Sequence, residues 1–531
     1  MIGVIAKSAD SEVVSEFFQL FKTPWEWYRD GGRYDVVLCA GDGVVPDGQA
    51  ELVLIYGGST LPFDAEQGIE TVALGNHAGE VRFKDGRLPI YRDYITFKSG
   101  ARFLVEQETG HPLVHISREG TRTVARIGYN LFEEARALLT VGQPVANASS
   151  PVLELHIGLL RDLIVSAGVP LAEIPPVPEG HRFIACLTHD IDHPSIRRHK
   201  FDHTLLGFLY RAVFVSLGKA CRGHLPLRSL LRNWAAAAKL PFVYLGLAKD
   251  FWYEFDRYLR MEEGLPSTFF VIPYSCRPGR LEHGSAPKFR ASQYGAADIA
   301  AKIRELTSAG CEIGVHGIDA WLDSSSGRTE LEVVRGITGT QCTGSRMHWL
   351  YFGEGSPVVL EEAGIDYDST IGYNATVGYR AGTTQAYKPL GAKRLLELPL
   401  HIMDTALFFP AHLNLSSAQA SLRVGQIVDN AIQFGGVITV NWHDRSISPE
   451  RCWDEFYVDL VRNLRSRGAW FATAANAVSW FRQRRLAVFE FDEDEPDVPR
   501  IRTEDGEAVD LPGLQLRVYN ARKTQPGLCN S

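Results

Sequence analysis

From His181 onward one pattern recurs along the chain: a short apolar run, a polar or ionisable residue at its C-terminal end, then a segment with helical periodicity. Phe183 to Thr188 is the first run and leads into His189, Asp190 and Asp192. Thr268 to Ile272 is the second, closed by Pro273, and a helix follows with Ile299, Ile303 and Leu306 on one face and Gly310 as its stop. Glu312 to Val315 is the third, ending at His316. Runs near 341–345, 366–370, 396–400 and 437–441 continue the series, the last leading to His443. Strand, helix, strand at this spacing predicts parallel strands joined by crossover helices. Repeated around a circle, such units form a barrel whose strand C-termini face one mouth. The topology is therefore expected to gather His189, Asp190, Asp192, His316 and His443.

The 531 residues exceed one ordinary core, so two or three domains are expected. The first 175 residues alternate strand signals (Ile2 to Ile5, Val36 to Cys39, Leu52 to Tyr56, Tyr94 to Phe97, Thr123 to Ile127) with helical ones (Val13 to Phe21, and from Leu131). They read as an α/β domain of unassigned role. Its glycine turns, GDG at 41–43 and GGS at 57–59, lack the lysine and spacing of a phosphate loop. The proline-rich PLAEIPPVPEG marks a domain edge before the second unit, expected over 180–482 with a largely helical insertion at about 196–262. From 486 an acidic run, FEFDEDEPD, expected to be solvated, and a strand-like LQLRVYN suggest a small β appendage over 486–531.

Composition narrows the partners. Hydrophobic residues at 45% and charged residues at 22% are ordinary for a soluble globular chain. A net charge of -8 and a pI near 6.1 leave no general basic surface for nucleic acid. The run Arg197, Arg198, His199, Lys200 reads as a solvated helix face. Eight cysteines without a C-x-x-C pair exclude a zinc ribbon or a disulfide scaffold and predict free, mostly buried thiols. MIGVIAKSAD has no charged region leading into a long apolar stretch, so a cytoplasmic location is expected. Leu205 to Leu217, interrupted by Arg211, is too short to span a bilayer and is expected to be a buried or groove-lining helix, so no membrane span is predicted. Oligomeric state has no signature.

Four segments carry the chemistry. In LTHDIDH, 187–193, carboxylates at i and i+2 leaving a strand can share a cavity, one ligating a divalent metal while the other stays free as a base. EIGVHGIDAW, 312–321, sets His316 at another strand end, and TVNWHDRS, 439–446, sets His443 where it can donate a proton. In TGSRMHW, 343–349, Arg346 can hold a carboxylate ionised and oriented, and His348 can reach the cavity.

Together these residues resemble the polysaccharide deacetylase family, the NodB-homology group of carbohydrate esterases. PSTFFVIP, AGIDYDSTIGY, GYRAGT and ELPLHIMD extend the resemblance over roughly 180–482. It implies a distorted (β/α) barrel with fewer than eight strands, preceded by the N-terminal α/β domain. It implies Asp190 as base, Asp192 and His316 as ligands of a divalent metal (zinc by its donor types), Arg346 as the partner of the base, and His443 as acid. One position departs: Ala320 stands where the family's second metal histidine would be. His348 is taken as the third ligand, with Asp319 and His189 as the other candidates. The implied reaction is hydrolysis of an acetyl group on an N- or O-acetylated sugar or glycan precursor. Hydrolysis of another amide or C–N bond in a small metabolite, and a catalytically silent carbohydrate-binding barrel, stay open. Trp321, Trp349, Tyr351, Tyr373 and Trp442 are candidates to stack on sugar faces.

Overall fold

The computed structural model describes residues 1–41, 50–75, 79–84, 86–223, 226–339, 344–491, 499–502 and 511–520. Cys342, Cys529, most of the GDG turn and most of the acidic FEFDEDEPD run lie outside the described residues. The chain divides into two units.

The first unit comprises 1–180, 379–390 and 480–531. Its main sheet has six strands in the order Val114–Glu119, Arg122–Ile127, Leu52–Tyr56, Val36–Ala40, Ile2–Ala6, Trp25–Trp27. All neighbours run parallel except the hairpin of the first two. Leu52–Tyr56 and Val36–Ala40 are buried along their whole length, as strands covered on both faces must be. The helices Ser11–Phe21 and Leu131–Thr140 meet through Phe17, Phe18 and Phe132. Asn130 caps the second by accepting from the backbone N–H groups of Phe132 and Glu133. Late in the chain, Arg517–Tyr519 pairs antiparallel with Leu171–Glu173, and Val488–Glu490 pairs with Arg500–Arg502.

The second unit, 181–378 and 391–479, is built on one parallel sheet. Its strands are β1 (Phe183–Ile191), β2 (Ser267–Val271), β3 (Glu312–Gly317), β4 (Gly344–Met347), β5 (Tyr367–Asp368), β6 (Leu396–Glu397), β7 (Ile402–Met403), β8 (Val437–Asn441) and β9 (Ala469–Phe471). The order is β6-β5-β4-β3-β2-β1-β8-β7, with β9 also on β1. Every pairing is parallel. The barrel implied by the sequence is not closed: β6 and β7 end the sheet without pairing to each other. The three strands nearest that gap, β5, β6 and β7, have two residues each, too few to carry a continuous ladder around.

β1 runs three residues further than its apolar stretch suggests, because Asp190 and Ile191 pair with Phe270 and Val271 of β2. Asp190 therefore lies on the strand rather than after it. The helix after β2 is Ala300–Ser308, with Ile303 and Leu306 buried, and Gly310 follows at φ +86°. The insertion forms a helical hairpin. Its first arm runs from His203 to Cys221 with a π-helical turn at Tyr210–Val215, and its second is Leu227–Tyr244. Of the six cysteines described, all free, Cys39, Cys186 and Cys311 are buried, whereas Cys221 and Cys276 are exposed; the thiols are less uniformly buried than their apolar contexts suggest.

Candidate active site

The alternation of side chains along a strand decides which residues of LTHDIDH reach the site. Thr188 and Asp190 lie on one face of β1, and both accept from the same nitrogen of Arg346: Nη1 donates to Thr188 Oγ1 at 2.8 Å and to Asp190 Oδ1 at 2.9 Å. His189 lies on the other face. Its Nδ1 meets the Trp442 carbonyl and its Nε2 meets Glu262 Oε1, each at 2.8 Å, and its ring packs on Tyr258 and Phe269. His189 is therefore a buried structural histidine and takes no part in the cavity.

Arg346 is held on every side. Nε donates to the Ser369 carbonyl and Nη2 to Ser369 Oγ, both at 2.9 Å, and the guanidinium lies 4.5 Å above the Phe270 ring. Asn441, at the end of β8, donates from Nδ2 to Asp190 Oδ2 at 2.7 Å. Burial opposes ionisation of Asp190, but the Arg346 guanidinium, with His316 and His443, outweighs it and holds the pKa below the usual carboxylate value.

Asp192, His316 and His348 converge, with one ligand atom from each all within 4.8 Å of one another. His316 Nε2 lies 3.3 Å and His348 Nε2 3.6 Å from Asp192 Oδ1. The other nitrogen of His316, Nδ1, is 2.9 Å from the Arg346 carbonyl, which can only accept, so the Nδ1–H donates and Nε2 carries a lone pair. Asp192 Oδ1 is buried and accepts no hydrogen bond. Two lone pairs facing each other across 3.3 Å repel unless a cation lies between them. Ligand atoms about 2.1 Å from a tetrahedral ion sit roughly 3.4 Å apart, close to the spacings here. Burial, only partly offset by Asp192, lowers the His348 pKa to about 3, so this ring is neutral as a ligand must be. Burial opposes the charge on Asp192, but the protonated ring of His443 favours the carboxylate, and its pKa lies well below the ordinary value. The three residues fit a divalent cation, and the mixed nitrogen and oxygen donors suit zinc.

His443 completes the group. Its Nδ1 lies 2.6 Å from Asp404 Oδ1 and its backbone N–H donates to Asp404 Oδ2 at 2.6 Å, leaving Nε2 3.8 Å from Asp192 Oδ2. Burial alone would lower the pKa of His443. The Asp404 carboxylate, aided by Asp192 and Asp190, reverses the sign and raises it to about 9.

A cavity of about 610 Å³ opens onto Asp190, Asp192, His316, His348 and His443. Trp349 and Tyr351 line it. Trp349 (φ 65°) and Leu350 (φ 54°) both adopt left-handed backbone, which bulky residues avoid; Arg290 holds the carbonyl of His348 at 2.7 Å and Asn374 that of Trp349 at 3.1 Å. Trp442, by contrast, is fully buried against Phe456 and Tyr457 and offers no face to a ligand. Trp321 is buried against Tyr351, and neither it nor Tyr373 lines the cavity. Asp319 faces elsewhere and accepts from the backbone N–H of Arg280 at 2.7 Å. Ala320 is buried beside Gly327. His348, which follows β4 on the neighbouring strand, reaches the group that the side chain at 320 does not enter.

Two members of the group, Asp404 and Asn441, are not among the residues expected from the sequence. Asp404 follows β7, a strand of two residues, and Asn441 is the last residue of β8. Both obey the rule that polar residues cluster at strand C-termini, and that rule applied to LHIMD and TVNWHD points to them. Asp444 also lines the cavity; its Oδ2 accepts from the His193 backbone at 2.8 Å, and burial together with Asp192 raises its pKa to about 7.

No protein-family profile matches the chain, and no curated protein does. Several solved structures do. A Mycobacterium smegmatis protein classed with the polysaccharide deacetylases aligns over 58% of this chain and 95% of its own at 18% identity, with a TM-score of 0.35. A family 4 acetyl xylan esterase from Clostridium thermocellum, in complex with cobalt, aligns over 56% and 91% at 15% identity, with a TM-score of 0.24. A 4-alpha-glucanotransferase from Thermococcus litoralis aligns over 56% and 40% at 12% identity, with a TM-score of 0.32. Likeness this loose carries no argument about chemistry, which rests on the site itself.

Proposed function

We propose that the second unit is a metal-dependent hydrolase that removes an acetyl group from an N- or O-acetylated sugar or glycan precursor. The observation that carries the proposal is the convergence of Asp192, His316 and His348 around a buried carboxylate oxygen that accepts no hydrogen bond, flanked by the Arg346–Asp190 and Asp404–His443 pairs. Asp192, His316 and His348 would hold a divalent ion, zinc by its donor set, which when bound supplies Lewis acidity for acyl-group hydrolysis.

The remaining steps belong to the chain's own groups. Asp190 is ionised and cannot turn, because Arg346 grips Oδ1 and Asn441 grips Oδ2. It takes the proton of the attacking water as the water oxygen bonds to the acetyl carbonyl carbon. His443 is protonated at neutral pH and presents Nε2 to the cavity, with Asp404 fixing the ring through Nδ1. As the carbonyl carbon parts from the sugar nitrogen or oxygen, the bonding pair stays on the leaving atom and His443 delivers its proton there. Trp349 and Tyr351 offer flat apolar faces suited to pyranose rings.

The test has two readouts. Purified protein incubated with zinc should retain near one ion per chain by elemental analysis and lose it in His316→Ala. The zinc-loaded protein should release acetate from N-acetylglucosamine oligomers or O-acetylated xylan. Failure to hold metal removes the proposal at its root. Retained metal with turnover only on formylated or cyclic amides replaces the sugar substrate with a small-metabolite amide.

A further inference from the structure

The hairpin of the insertion is unlike the rest of the chain in both charge and surface. Between 203 and 249 there are seven lysines and arginines and no aspartate or glutamate, in a protein whose net charge is -8. Over 18 consecutive residues of its first arm, His203–Cys221, the mean hydropathy is 1.3, yet only 28% of that stretch is buried. By length and composition this arm could cross a membrane. It is 19 residues long, extending past the Leu205 to Leu217 stretch on both sides.

Each arm has a satisfied face and an unsatisfied one. Leu205, Phe208 and Ala212 of the first pack with Ala236, Leu240 and Val243 of the second in one buried cluster. Away from that cluster, Leu206, Tyr210, Phe214 and Leu217 follow one another at helical spacing, and Phe214 is 67% exposed. The second arm repeats this with Leu227, Leu231, Trp234, Phe242 and Leu245, where Leu227 is 68% exposed. Two helices that pack together through one face and each show water an apolar stripe on another have buried only half of what they carry.

Cations accompany the stripes. Lys219, Arg222, Lys239 and Lys249 are exposed, and among the described residues no ion pair engages them. Apolar side chains beside unpaired cations, with acidic residues excluded, are the composition of a surface that seats in the headgroup region of an anionic bilayer. Arg211 and the packed core of the hairpin argue for lying in that plane rather than crossing it.

We propose that the hairpin over 203–249 docks on an anionic lipid bilayer, with Phe214, Leu231 and their stripe neighbours entering the interface and Lys219, Arg222 and Lys239 meeting lipid phosphates. Its place in the unit gives docking a consequence. Tyr210, Arg211, Val215 and Lys219 line a groove whose wall includes Phe409 and Arg451, and those two residues also line the cavity of the candidate active site. A docked hairpin therefore sets that cavity next to the headgroup layer. The docking itself does not depend on the hydrolase reading.

Co-sedimentation of the full chain with vesicles tests it. Vesicles of phosphatidylcholine mixed with phosphatidylglycerol should bind the protein roughly tenfold or more better than phosphatidylcholine alone, and high salt should release it. Phe214→Glu/Leu231→Glu and Lys219→Glu/Lys239→Glu should each lower partitioning by roughly tenfold or more, with an unchanged circular dichroism spectrum and melt. The comparison of lipids on the unaltered chain holds even where a variant misfolds. No binding, or equal binding to both vesicle types, overturns the proposal. So does a stable dimer in sedimentation velocity that Phe214→Glu dissociates, because the stripe is then covered by a second copy of the chain.

Discussion

Both units are built on largely parallel sheets, and both bury an arginine–aspartate pair, yet only one pair opens onto the candidate site. In the first unit Arg126 and Asp64 are sealed from solvent, with Arg126 Nε 2.9 Å from Asp64 Oδ1. Arg126 Nη2 donates to Asp64 Oδ2 at 3.2 Å and to the Ser59 carbonyl at 2.7 Å, Nη1 donates to the Gly57 carbonyl at 2.9 Å, and Asp64 Oδ2 also accepts from the Leu61 N–H at 2.8 Å. The pair is complete in itself and ties a strand to the turn beside it. In the second unit Arg346 and Asp190 are as well buried, but the carboxylate looks past its partner toward His316 and His443, and Oδ1 of Asp192 beside it accepts no hydrogen bond. Buried charge marks function where the network is open at one end, and stability where it closes on itself.

The strand ends tell the same story. In the first sheet Val36–Ala40, Leu52–Tyr56 and Arg122–Ile127 each run into a glycine: Gly41, Gly57 and Gly128. At Gly128 an added Cβ would stand 2.1 Å from the Ile95 carbonyl, so backbone packing occupies the place where a site would need a side chain. In the second sheet the corresponding ends carry Asp190, His316, Arg346, Asp404 and His443. The architecture is shared and the chemistry is not.

The sharpest way to separate the two pairs is to neutralise each carboxylate in turn. Asp190→Asn should lower acetate release per folded molecule by roughly 10²–10⁴-fold, the usual range for a general base, while bound metal stays nearly unchanged. Asp64→Ala should do the reverse, costing about 3–5 kcal/mol of stability because Arg126 is left buried and uncompensated, with turnover per folded molecule intact. Calorimetry and kinetics on both variants would break the comparison if Asp64→Ala proved catalytically dead while fully stable.

Two buried histidines extend the contrast to pH. In the first unit burial drives the His156 pKa down to about 3, whereas in the second His443 rises to about 9. A histidine depressed in the folded state contributes stability that is complete above pH 6.5 and lost as the pH falls toward 3, at up to about 1.4 kcal/mol per pH unit. The stability of the intact chain should therefore fall as the pH drops across that window. In His156→Gln the slope of stability against pH should be shallower, as measured by denaturant titration at a series of pH values. An unchanged slope would assign acid lability to other groups.

The smallest expected effect concerns the strained backbone at the cavity. Trp349→Gly removes the left-handed strain, worth about 1 kcal/mol, and also the aromatic face, so stability should change by roughly that amount or less while KM rises and kcat changes little. A fall in kcat with KM unchanged would mean that Trp349 positions His348 rather than the substrate.

How legible the site was depended on strand length. Long apolar runs such as Phe183 to Thr188 and Val437 to Asn441 disclosed their own ends, and with them Asp190, Asp192, His316 and His443. Asp404 stayed hidden because Ile402–Met403 is too short to show a period, although it fixes the ring of His443. His189 was misplaced for a different reason. It sits one residue from Asp190, and sequence proximity says nothing about which face of a strand a side chain takes until the register is known. Trp442, one residue from His443, was misread in the same way.

The sequence by itself determined the local elements, the parallel order that follows from strand–helix–strand spacing, and the residue types able to hold a cation and move protons, because periodicity and donor chemistry are properties of short segments. Only the tertiary structure decided that the sheet stays open, that His348 rather than His189 or Asp319 stands opposite Asp192, and that the apolar hairpin is half-covered. Each of these depends on which faces meet across tens or hundreds of residues, and no local pattern records that.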